Sequence, residues 1–190
     1  MPRRTKLKRI LKYAILGLVH KQEMSGYDIT SQFKQEIGQF WSAKHSQIYP
    51  ELKKLTEEGL IEYRTSITGA KLEKKLYCIT PKGTRELTEW LLSPKELPET
   101  EKDAFMLRLY FSAAISREES KRLFGDQMAK RKEKLEHLYE SKQSLQLLEE
   151  QPHSPDSPQF GHYLVLSRAI NREESYIAWL EETLTLFEES

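Results

Sequence analysis

The chain has 190 residues, which suits one medium domain or two small ones. Hydrophobic residues make up 38% of it and can build a core, yet no apolar run approaches the roughly 20 residues of a membrane span. Its basic start lacks the long apolar region of a signal peptide. The single cysteine, Cys78, excludes an intrachain disulfide and a multi-cysteine metal site. We therefore expect a cytoplasmic protein that needs no membrane, metal or cofactor.

The net charge of +1 hides a division between the two halves of the chain. Residues 1–95 hold 18 Lys and Arg against 10 Asp and Glu, a net charge of +8, whereas residues 96–190 hold 12 against 19, a net charge of −7. Such asymmetry indicates one half that binds a polyanion and an acidic half with another task. Residues 93–98 include two prolines and form the predicted linker between the halves.

Three short helices are predicted at the start of the chain. The first runs from about Lys8 to His20. The second begins where Ser25 and Asp28 stand at capping-box spacing, and it continues to about Ile37. With the third helix that follows, these elements are typical of a helix-turn-helix unit.

The third helix carries an apolar stripe of Ile48, Leu52 and Leu55 at helical spacing. Ser46 is placed to cap its first free amides, and Gly59 is placed to end it in a left-handed conformation. This stripe predicts that one face of the helix is buried and that the opposite face is exposed.

The leading end of this helix, predicted over residues 42–60, leaves several polar side chains facing outward. A cation there seeks phosphates, while amide, imidazole and phenol groups can hydrogen-bond to base edges or stack on them. A short helix with such an end fits a major groove. The alternative is an ordinary amphipathic surface helix, with Tyr49 partly in the core. The predicted DNA-binding residues of the helix are Lys44, His45, Ser46, Gln47, Tyr49 and Lys53.

A β-hairpin is predicted directly after the third helix. Residues 61–67 alternate at period two, residues 68–73 form the turn and residues 74–79 form the return strand. A hairpin at this point is typical of a wing, whose lysines reach phosphates or the neighbouring minor groove. The alternative is a solvated hairpin whose lysines only discourage edge pairing. The predicted DNA-binding residues of the wing are Lys71, Lys74 and Lys75.

Capping signals open three more helices, and the second half of the chain is predicted to be helical throughout. The last of the three signals opens a long helix that ends near Glu150. The signals are Thr80 before Pro81, and two pairs at capping-box spacing, Thr100 with Asp103 and Ser116 with Glu119.

The two longest predicted helices each carry a narrow apolar seam with heptad-like spacing. We expect the seams to be covered by a second chain, because too little of the remaining sequence is available to cover them. The alternative is an intramolecular hairpin of the two helices. Glu173 interrupts the second seam. The seam residues are Met128, Leu135, Leu138 and Leu145, and then Leu166, Ile170, Ile177, Leu180, Leu184 and Phe187.

Catalytic and metal-binding signatures are not found in the sequence. None of the five histidines stands at zinc-ligand spacing from another histidine or from Cys78. A Gly-rich phosphate loop after a strand, a nucleophile elbow and a paired-carboxylate signature are also missing. We therefore predict no catalytic residue and no metal site, and a role other than that of an enzyme.

Several stretches in this order resemble the PadR family. The resemblance covers nearly the whole chain and rests on several motifs rather than one. The stretches are LKYAILGL at residues 11–18, SGYDI at 25–29, IYPELKKLTEEG at 48–59, LYCIT at 76–80 and FGHYLVL at 160–166.

The resemblance implies a homodimeric winged-helix repressor. It implies binding to an inverted-repeat operator near a phenolic acid decarboxylase gene, and release when a phenolic acid such as p-coumaric or ferulic acid binds. The wing departs from the family pattern, which is richer in arginine, by having Leu72 and Glu73. The basic residues 2–9 are an extension with no assigned role.

An effector of this kind needs an apolar slot for its ring, and a cation or donor for its carboxylate. The aromatic side chains near the predicted joint between the halves are candidates, although most aromatics of this kind are simply core. Arg108 or His162 is placed to meet the carboxylate. The predicted effector-binding residues are Tyr13, Phe40, Trp41, His45, Phe105, Arg108, Tyr110, His162 and Tyr163.

The predicted fold is mostly α. Residues 1–95 form a winged helix-turn-helix DNA-binding domain with a small β-hairpin wing, and residues 96–190 form an all-helical domain for dimerisation and effector sensing. The predicted partners are a double-stranded DNA operator, a second copy of the chain and a phenolic acid. Two alternatives stay open: a regulator of the same family with a different effector, and a winged-helix adaptor that binds proteins without specific DNA binding.

Overall fold

A computed structural model of the chain describes residues 9–35, 37, 45–68, 72–94 and 103–188. It divides the chain into two compact units, Met1–Leu97 and Pro98–Ser190. The described residues are mostly helical, with one small antiparallel sheet, which confirms the predicted fold class.

The described residues of the first unit form four α-helices and three strands, and these elements follow the order of a winged helix. The helix bounds deviate from the predicted ones by a few residues at each end. The elements are α1 Ile10–Lys21, β1 Met24–Ser25, α2 Gly26–Gln35, α3 His45–Glu57, β2 Ile61–Thr68, β3 Leu72–Ile79 and α4 Pro81–Leu92.

The core of the first unit is built from the inner faces of α1, α2 and α3. The predicted stripe of Ile48, Leu52 and Leu55 is fully buried, and it packs with Ile15 and Ile29. Burial of these side chains stabilises the unit by roughly 1.5–3 kcal/mol for each large aliphatic residue. The stripe therefore fixes which face of α3 points away from the core.

Three helix-end predictions can be compared with the structure. The capping box of α2 is confirmed, because the Ser25 amide donates to Asp28 Oδ2 at 3.0 Å and the Asp28 amide donates to Ser25 Oγ at 3.2 Å. Gly59 has a φ of 67°, as predicted for a left-handed helix end. The prediction for Ser46 was wrong: α3 begins at His45, so Ser46 lies inside the first turn and is not the cap.

The sheet has three strands in the order β1-β3-β2, all antiparallel. The predicted hairpin is confirmed, but its strands are longer than predicted and reach Thr68 and Leu72. The short strand β1 was not predicted. Two residues are too few to show a period-two pattern, and Met24 and Ser25 had already been assigned to a helix start.

The N-terminal end of α1 is attached to the region around α3 by charged side chains. Arg9 Nε donates to Glu51 Oε1 at 2.9 Å, and a second guanidinium nitrogen contacts Glu58 Oε1. Glu51 is itself buried, so Arg9 supplies the cation that compensates its charge. This contact gives one member of the basic stretch 2–9 a structural role. The other residues of that stretch lie outside the described residues.

The second unit consists of helices joined by short connections. Its elements are α5 Ala104–Tyr110, a 3₁₀ turn Ser112–Ala114, α6 Arg117–Leu148 and α7 Phe160–Thr185. The capping box at the start of α6 is confirmed, since Ser116 and Glu119 exchange hydrogen bonds. The prediction for α5 was wrong in detail: Asp103 is itself the cap, and its carboxylate accepts from the amides of Phe105 and Met106.

The two long helices α6 and α7 pack against each other within one chain. Leu138 and Leu145 of α6 form a buried cluster with Leu166, Ala169 and Ile170 of α7. This part of the seams therefore packs within one chain, as the alternative of an intramolecular hairpin describes, and the expectation of a second chain stays a prediction. Each helix supplies the apolar surface that the other lacks, so a dimer has to be argued from other surfaces.

A buried charge lies in the middle of this helix pair. Glu173 is 0% exposed, and its carboxylate is paired with Arg131 at 2.7 Å, Lys134 at 2.9 Å and Arg172 at 3.1 Å. Burial by itself raises the pKa of Glu173, but hydrogen bonds from Lys134 and Arg131 outweigh it and lower the pKa to about 2. The residue that interrupts the seam is therefore a charged junction between α6 and α7.

None of the helices in the described part of the chain combines the length and the apolar character needed to cross a membrane. The same residues contain no group of three or more His, Cys, Asp and Glu side chains that could hold a metal ion.

Candidate nucleic-acid interface

The leading end of α3 carries exposed side chains on the face opposite its buried stripe. Gln47 is exposed, and Tyr49 keeps 44% of its surface exposed although its neighbour Ile48 is fully buried. Tyr49 is therefore not a core residue. Lys53 lies one turn further along; its side chain is 80% exposed and stands 3.9 Å from Glu57.

Two further predicted residues precede this exposed face, and the structure describes them in part or not at all. Lys44 lies outside the described residues, and only the backbone of His45 is described, as the first residue of α3. Ser46 is exposed. The predicted DNA-binding roles of these residues stay predictions.

A groove of about 830 Å³ lies between the start of α2, α3 and the edge of β3. Three tyrosines and two lysines surround it, and Tyr27 is 75% exposed. Tyrosine rings are rigid and amphipathic. Together with the neighbouring lysines they suit a surface that contacts the phosphates and sugars of a nucleic acid. The lining residues are Ser25, Gly26, Tyr27, Tyr49, Glu73, Lys74, Lys75 and Tyr77.

The absence of a side chain at Gly26 allows the Tyr49 ring to lie against the start of α2. A Cβ atom at Gly26 would approach Tyr49 Cε1 to 2.7 Å and its hydroxyl oxygen to 3.1 Å. A contact of 2.7 Å is shorter than real Cβ atoms make, so any larger residue at position 26 would displace the Tyr49 ring. Gly26 therefore positions Tyr49 in the groove.

The wing presents its basic side chains in different environments. Lys75 Nζ lies 4.1 Å from the centre of the Tyr63 ring. Lys74 Nζ stands 3.1 Å from Asp28 Oδ2, and Arg64 is held by Glu23. The remaining predicted wing residue, Lys71, lies outside the described residues.

Sequence reasoning missed Tyr27, Gly26 and Tyr77 as parts of this surface. The motif SGYD indicates a helix start and belongs to the family resemblance, and neither interpretation assigns Tyr27 to a surface, although an exposed aromatic residue beside a capping box is itself a signal. Tyr77 is placed in the groove by its pairing with Tyr63 and Met24 in the sheet, which only the observed register reveals.

The predicted effector-binding residues fall into three groups. In the first unit, Tyr13 stacks on Trp90 with ring centres 4.5 Å apart, and its hydroxyl donates to Glu86 Oε1 at 3.2 Å. This stack fills the space between α1 and α4. Phe40 and Trp41 lie outside the described residues, as does the side chain of His45.

In the second unit, the predicted effector-binding aromatics Phe105 and Tyr163 lie in different places. Phe105 packs on Phe124 and Tyr176, whereas Tyr163 packs on His153 beside the other end of α7. Tyr163 and Tyr176 are 13 residues apart on α7, which corresponds to about 20 Å.

The polar candidates of the second unit are separated in the same way. Arg108 and Tyr110 are exposed on α5, close to Phe105 in sequence, while His162 begins α7 with Tyr163. His162 carries a buried Nε2 with no hydrogen-bond partner among the described residues. Within the second unit, Phe105 and Tyr163 therefore do not lie in one site of a single chain.

The fold and the surface together define a class of protein. A buried helix-turn-helix core, a recognition helix with an exposed polar end, and a basic wing beside a tyrosine-lined groove are the features of a winged-helix DNA-binding regulator.

Comparisons with known proteins agree with this class. Residues 15–89 match the model of the Transcriptional regulator PadR-like family, and residues 101–188 match Virulence activator alpha C-term. The chain is 57% identical over 180 residues to the Negative transcriptional regulator PadR of Bacillus subtilis, covering 95% of this chain and 98% of the relative.

Two solved structures of Bacillus subtilis PadR are also similar. The structure in complex with operator DNA has a TM-score of 0.88 at 57% identity, over 94% of this chain and 99% of that one. The structure in complex with p-coumaric acid has a TM-score of 0.81 at 54% identity, over 95% and 99%. The chain belongs to the PadR-like family of transcriptional regulators. This membership confirms the prediction of a DNA-binding regulator rather than an enzyme.

Proposed function

We propose that the chain is a homodimeric transcriptional repressor that binds an inverted-repeat operator and is released by a phenolic acid such as p-coumaric or ferulic acid. The proposed target is a phenolic acid decarboxylase gene, and the proposed place of action is the cytoplasm. The observation that carries the proposal is the groove, in which exposed Tyr27 and Tyr49 stand beside Lys75 and the leading end of α3. It is supported by the operator complex of Bacillus subtilis PadR.

In this proposal the leading end of α3 enters the major groove of the operator. Gln47 is suited to adenine, whose N6 and N7 it can contact at the same time. Lys53 and Lys75 are suited to phosphates, and they supply affinity that depends on salt rather than on sequence. Tyr27 and Tyr49 contact the sugar–phosphate backbone of the DNA and so fix the position of α3 on the operator. Lys44, His45 and Lys71 are further members of the proposed DNA-binding set.

The proposed dimer is supported by an apolar surface on α5 and the turn after it. Leu107, Phe111 and Ile115 are exposed there, and together with Leu123 of α6 they line an open groove of about 460 Å³. Exposed apolar patches of this kind mark interaction sites. A dimer would present two α3 helices to successive major grooves about 34 Å apart, which matches an inverted repeat.

The proposed effector is supported by the p-coumaric acid complex of Bacillus subtilis PadR. Among the predicted residues, His162 is the best-supported polar contact, because its buried Nε2 has no hydrogen-bond partner among the described residues. Such an orphaned atom is costly unless a ligand or water satisfies it. A ligand releases DNA only if it binds the DNA-incompetent arrangement more tightly. We therefore expect binding of the phenolic acid and binding of the operator to oppose each other.

The proposed reading of DNA predicts different results for two variants of α3. Gln47→Ala should lower the ratio of operator affinity to scrambled-duplex affinity by about tenfold or more, since one good base contact contributes about 1–3 kcal/mol. Lys53→Ala should weaken both duplexes alike and reduce the salt slope by up to about 0.9, because its contact with Glu57 is long and exposed to solvent. Fluorescence anisotropy with labelled duplexes at several salt concentrations measures both quantities.

Two outcomes would contradict this assignment. If both variants bind the two duplexes as the parent does, the exposed end of α3 does not contact DNA. If the parent itself shows salt-insensitive behaviour and no preference for the operator duplex, the alternative of a protein-binding adaptor is favoured.

A further inference from the structure

A short segment, residues 23–28, contains β1 and the first residues of α2 and is attached to both strands of the wing. Its middle is β1, in which Met24 pairs with Tyr77 and Ser25 pairs with Leu76. A carboxylate stands at each end of the segment. Because β1 is hydrogen-bonded to β3, these two carboxylates are held at fixed positions beside the wing.

Each carboxylate is paired with a basic side chain of a different wing strand. Glu23 Oε2 accepts from Nε and Nη2 of Arg64 on β2, at 2.9 and 2.6 Å. Asp28 Oδ2 lies 3.1 Å from Nζ of Lys74 on β3. Two of the cations that the wing could offer to a phosphate therefore already have a carboxylate partner.

The position of Asp28 is set by more than Lys74. The same Oδ2 accepts from the Ser25 amide at 3.0 Å and from Ser25 Oγ at 2.6 Å, so it is part of the helix cap. Hydrogen bonds from Ser25, together with Lys74, lower the pKa of Asp28, and it is ionised at neutral pH. The cap thus holds a fixed negative charge beside Lys74, in the half of the wing that is nearer its turn.

Lys75 differs from its neighbour Lys74 in this respect. The register pairs Lys75 with Thr65 and Lys74 with Ser66, so the two lysines point to opposite faces of the hairpin. Among the described residues no carboxylate lies within 4.0 Å of Lys75, which stands over the Tyr63 ring instead. Its full charge is available to a phosphate.

We infer that Asp28 is a specificity-determining residue, which holds Lys74 as a positioning contact of the wing and keeps its charge from strengthening sequence-independent DNA binding. Glu23 does the same for Arg64. This inference rests on the proposed DNA-binding function, and it replaces the expectation that Lys74 supplies a phosphate contact. A lysine paired with a carboxylate adds no net charge, so it releases fewer counterions from DNA than an unpaired one.

Asp28→Asn tests the inference because the amide oxygen of Asn still accepts from Ser25, so the cap is kept while the charge is removed. The freed Lys74 should tighten binding to a scrambled duplex about three- to tenfold, and raise the salt slope by up to about 0.9. The ratio of operator to scrambled affinity should fall. Circular dichroism and the Tm check that the variant is folded.

Lysine variants identify the charge that is responsible. Lys75→Met should reduce the salt slope by about 0.9, whereas Lys74→Met removes a cation that is already paired and should reduce the slope by less than about half as much. The Asp28 carboxylate that Lys74→Met leaves unpaired should weaken binding to the scrambled duplex. The double variant with Asp28→Asn and Lys74→Met should return to the parent's scrambled-duplex affinity. Glu62→Gln, which removes an exposed charge of the same strand pair, is the matched control and should leave both values near those of the parent.

The two duplexes separate this inference from the proposed function. Binding to the scrambled duplex decides whether Asp28 neutralises Lys74. Unchanged affinity and salt slope in Asp28→Asn would overturn the inference, and so would an equal gain of affinity in Glu62→Gln. An equal loss of salt slope in Lys74→Met and Lys75→Met would overturn it as well. The operator-to-scrambled ratio of the parent decides the proposed function. If the parent shows no operator preference but Asp28→Asn gains scrambled affinity, the proposed function fails together with the role of Asp28 in specificity, and only its neutralisation of Lys74 is supported.

Discussion

Replacing Glu173 by glutamine should destabilise the second unit by about 3 kcal/mol at neutral pH, which is more than hundredfold in the unfolding equilibrium. The side chain keeps its size, but Arg131, Lys134 and Arg172 lose the carboxylate that compensates them among the described residues. Hydrogen exchange of the α6 and α7 amides measures the effect where it arises, because global unfolding of a chain with two units need not be two-state.

The same residue predicts how stability depends on pH. The pKa of Glu173 is about 2 in the folded chain, below its ordinary value of 4.5, so its contribution is present above pH 4.5 and is lost as the pH falls toward 2. The difference between parent and Glu173→Gln should therefore shrink over that range.

Glu182 provides the control for this prediction, because it is an exposed glutamate of the same helix. Glu182→Gln should change stability by less than about 0.5 kcal/mol. Adding Lys134→Met to Glu173→Gln should recover part of the loss, since one uncompensated cation is removed. Equal protection of α6 and α7 amides in Glu173→Gln and Glu182→Gln would show that the buried cluster contributes nothing.

Gly83→Ala should destabilise the first unit by about 3 kcal/mol. A Cβ atom at Gly83 would lie 2.0 Å from the Leu60 carbonyl oxygen and 2.8 Å from Ile79 Cγ1. The same carbonyl accepts from the Thr80 amide at 3.1 Å. The start of α4 must therefore move away from the junction of α3 and β2, and thermal unfolding followed by circular dichroism should show a lower Tm.

Gly17→Ala is the matched control, since Gly17 lies on α1 of the same unit and a Cβ atom there meets nothing within 4 Å. Alanine is the better helix former by about 1 kcal/mol, so this variant should be slightly more stable than the parent. Two glycine-to-alanine changes in one unit are thus expected to have opposite signs. A similar Tm for both variants would show that α4 does not pack as closely on Leu60 as described.

The parts of the fold that were predicted from sequence are those set by local rules. The stripe of Ile48, Leu52 and Leu55 follows the period of a helix, and the Ser25–Asp28 cap and Gly59 follow the chemistry of helix ends. Each of these signals lies within a few residues of the structure that it specifies.

The parts that were missed depend on contacts between distant segments. Strand β1 exists because β3 has a free edge at Leu76 and Tyr77, and two residues of sequence cannot show that. The apolar seams of α6 and α7 were visible, but a seam carries no information on whether its partner is the same chain or another copy. Glu173 looked like an interruption because its partners, Arg131 and Lys134, are 42 and 39 residues away.

The candidate site was predicted only in part, because only some of its residues are placed by local signals. The exposed end of α3 follows from its buried stripe, so Gln47 and Tyr49 were identified from sequence. The groove beside them also needs Tyr27 and Tyr77, which are brought there by α2 and by the sheet register. Residue type did not distinguish Lys74 from Lys75 either, and the difference is the Asp28 carboxylate.

The central claim is that binding of operator DNA and binding of a phenolic acid oppose each other. The most direct measurement is fluorescence anisotropy of a labelled duplex carrying the operator that binds Bacillus subtilis PadR, titrated with the chain with and without p-coumaric acid. A scrambled duplex of the same composition serves as the control. We predict operator binding at least hundredfold tighter than scrambled binding, and an operator Kd raised about tenfold or more by p-coumaric acid. Equal affinity for the two duplexes, or an operator Kd that p-coumaric acid leaves unchanged, would contradict the claim.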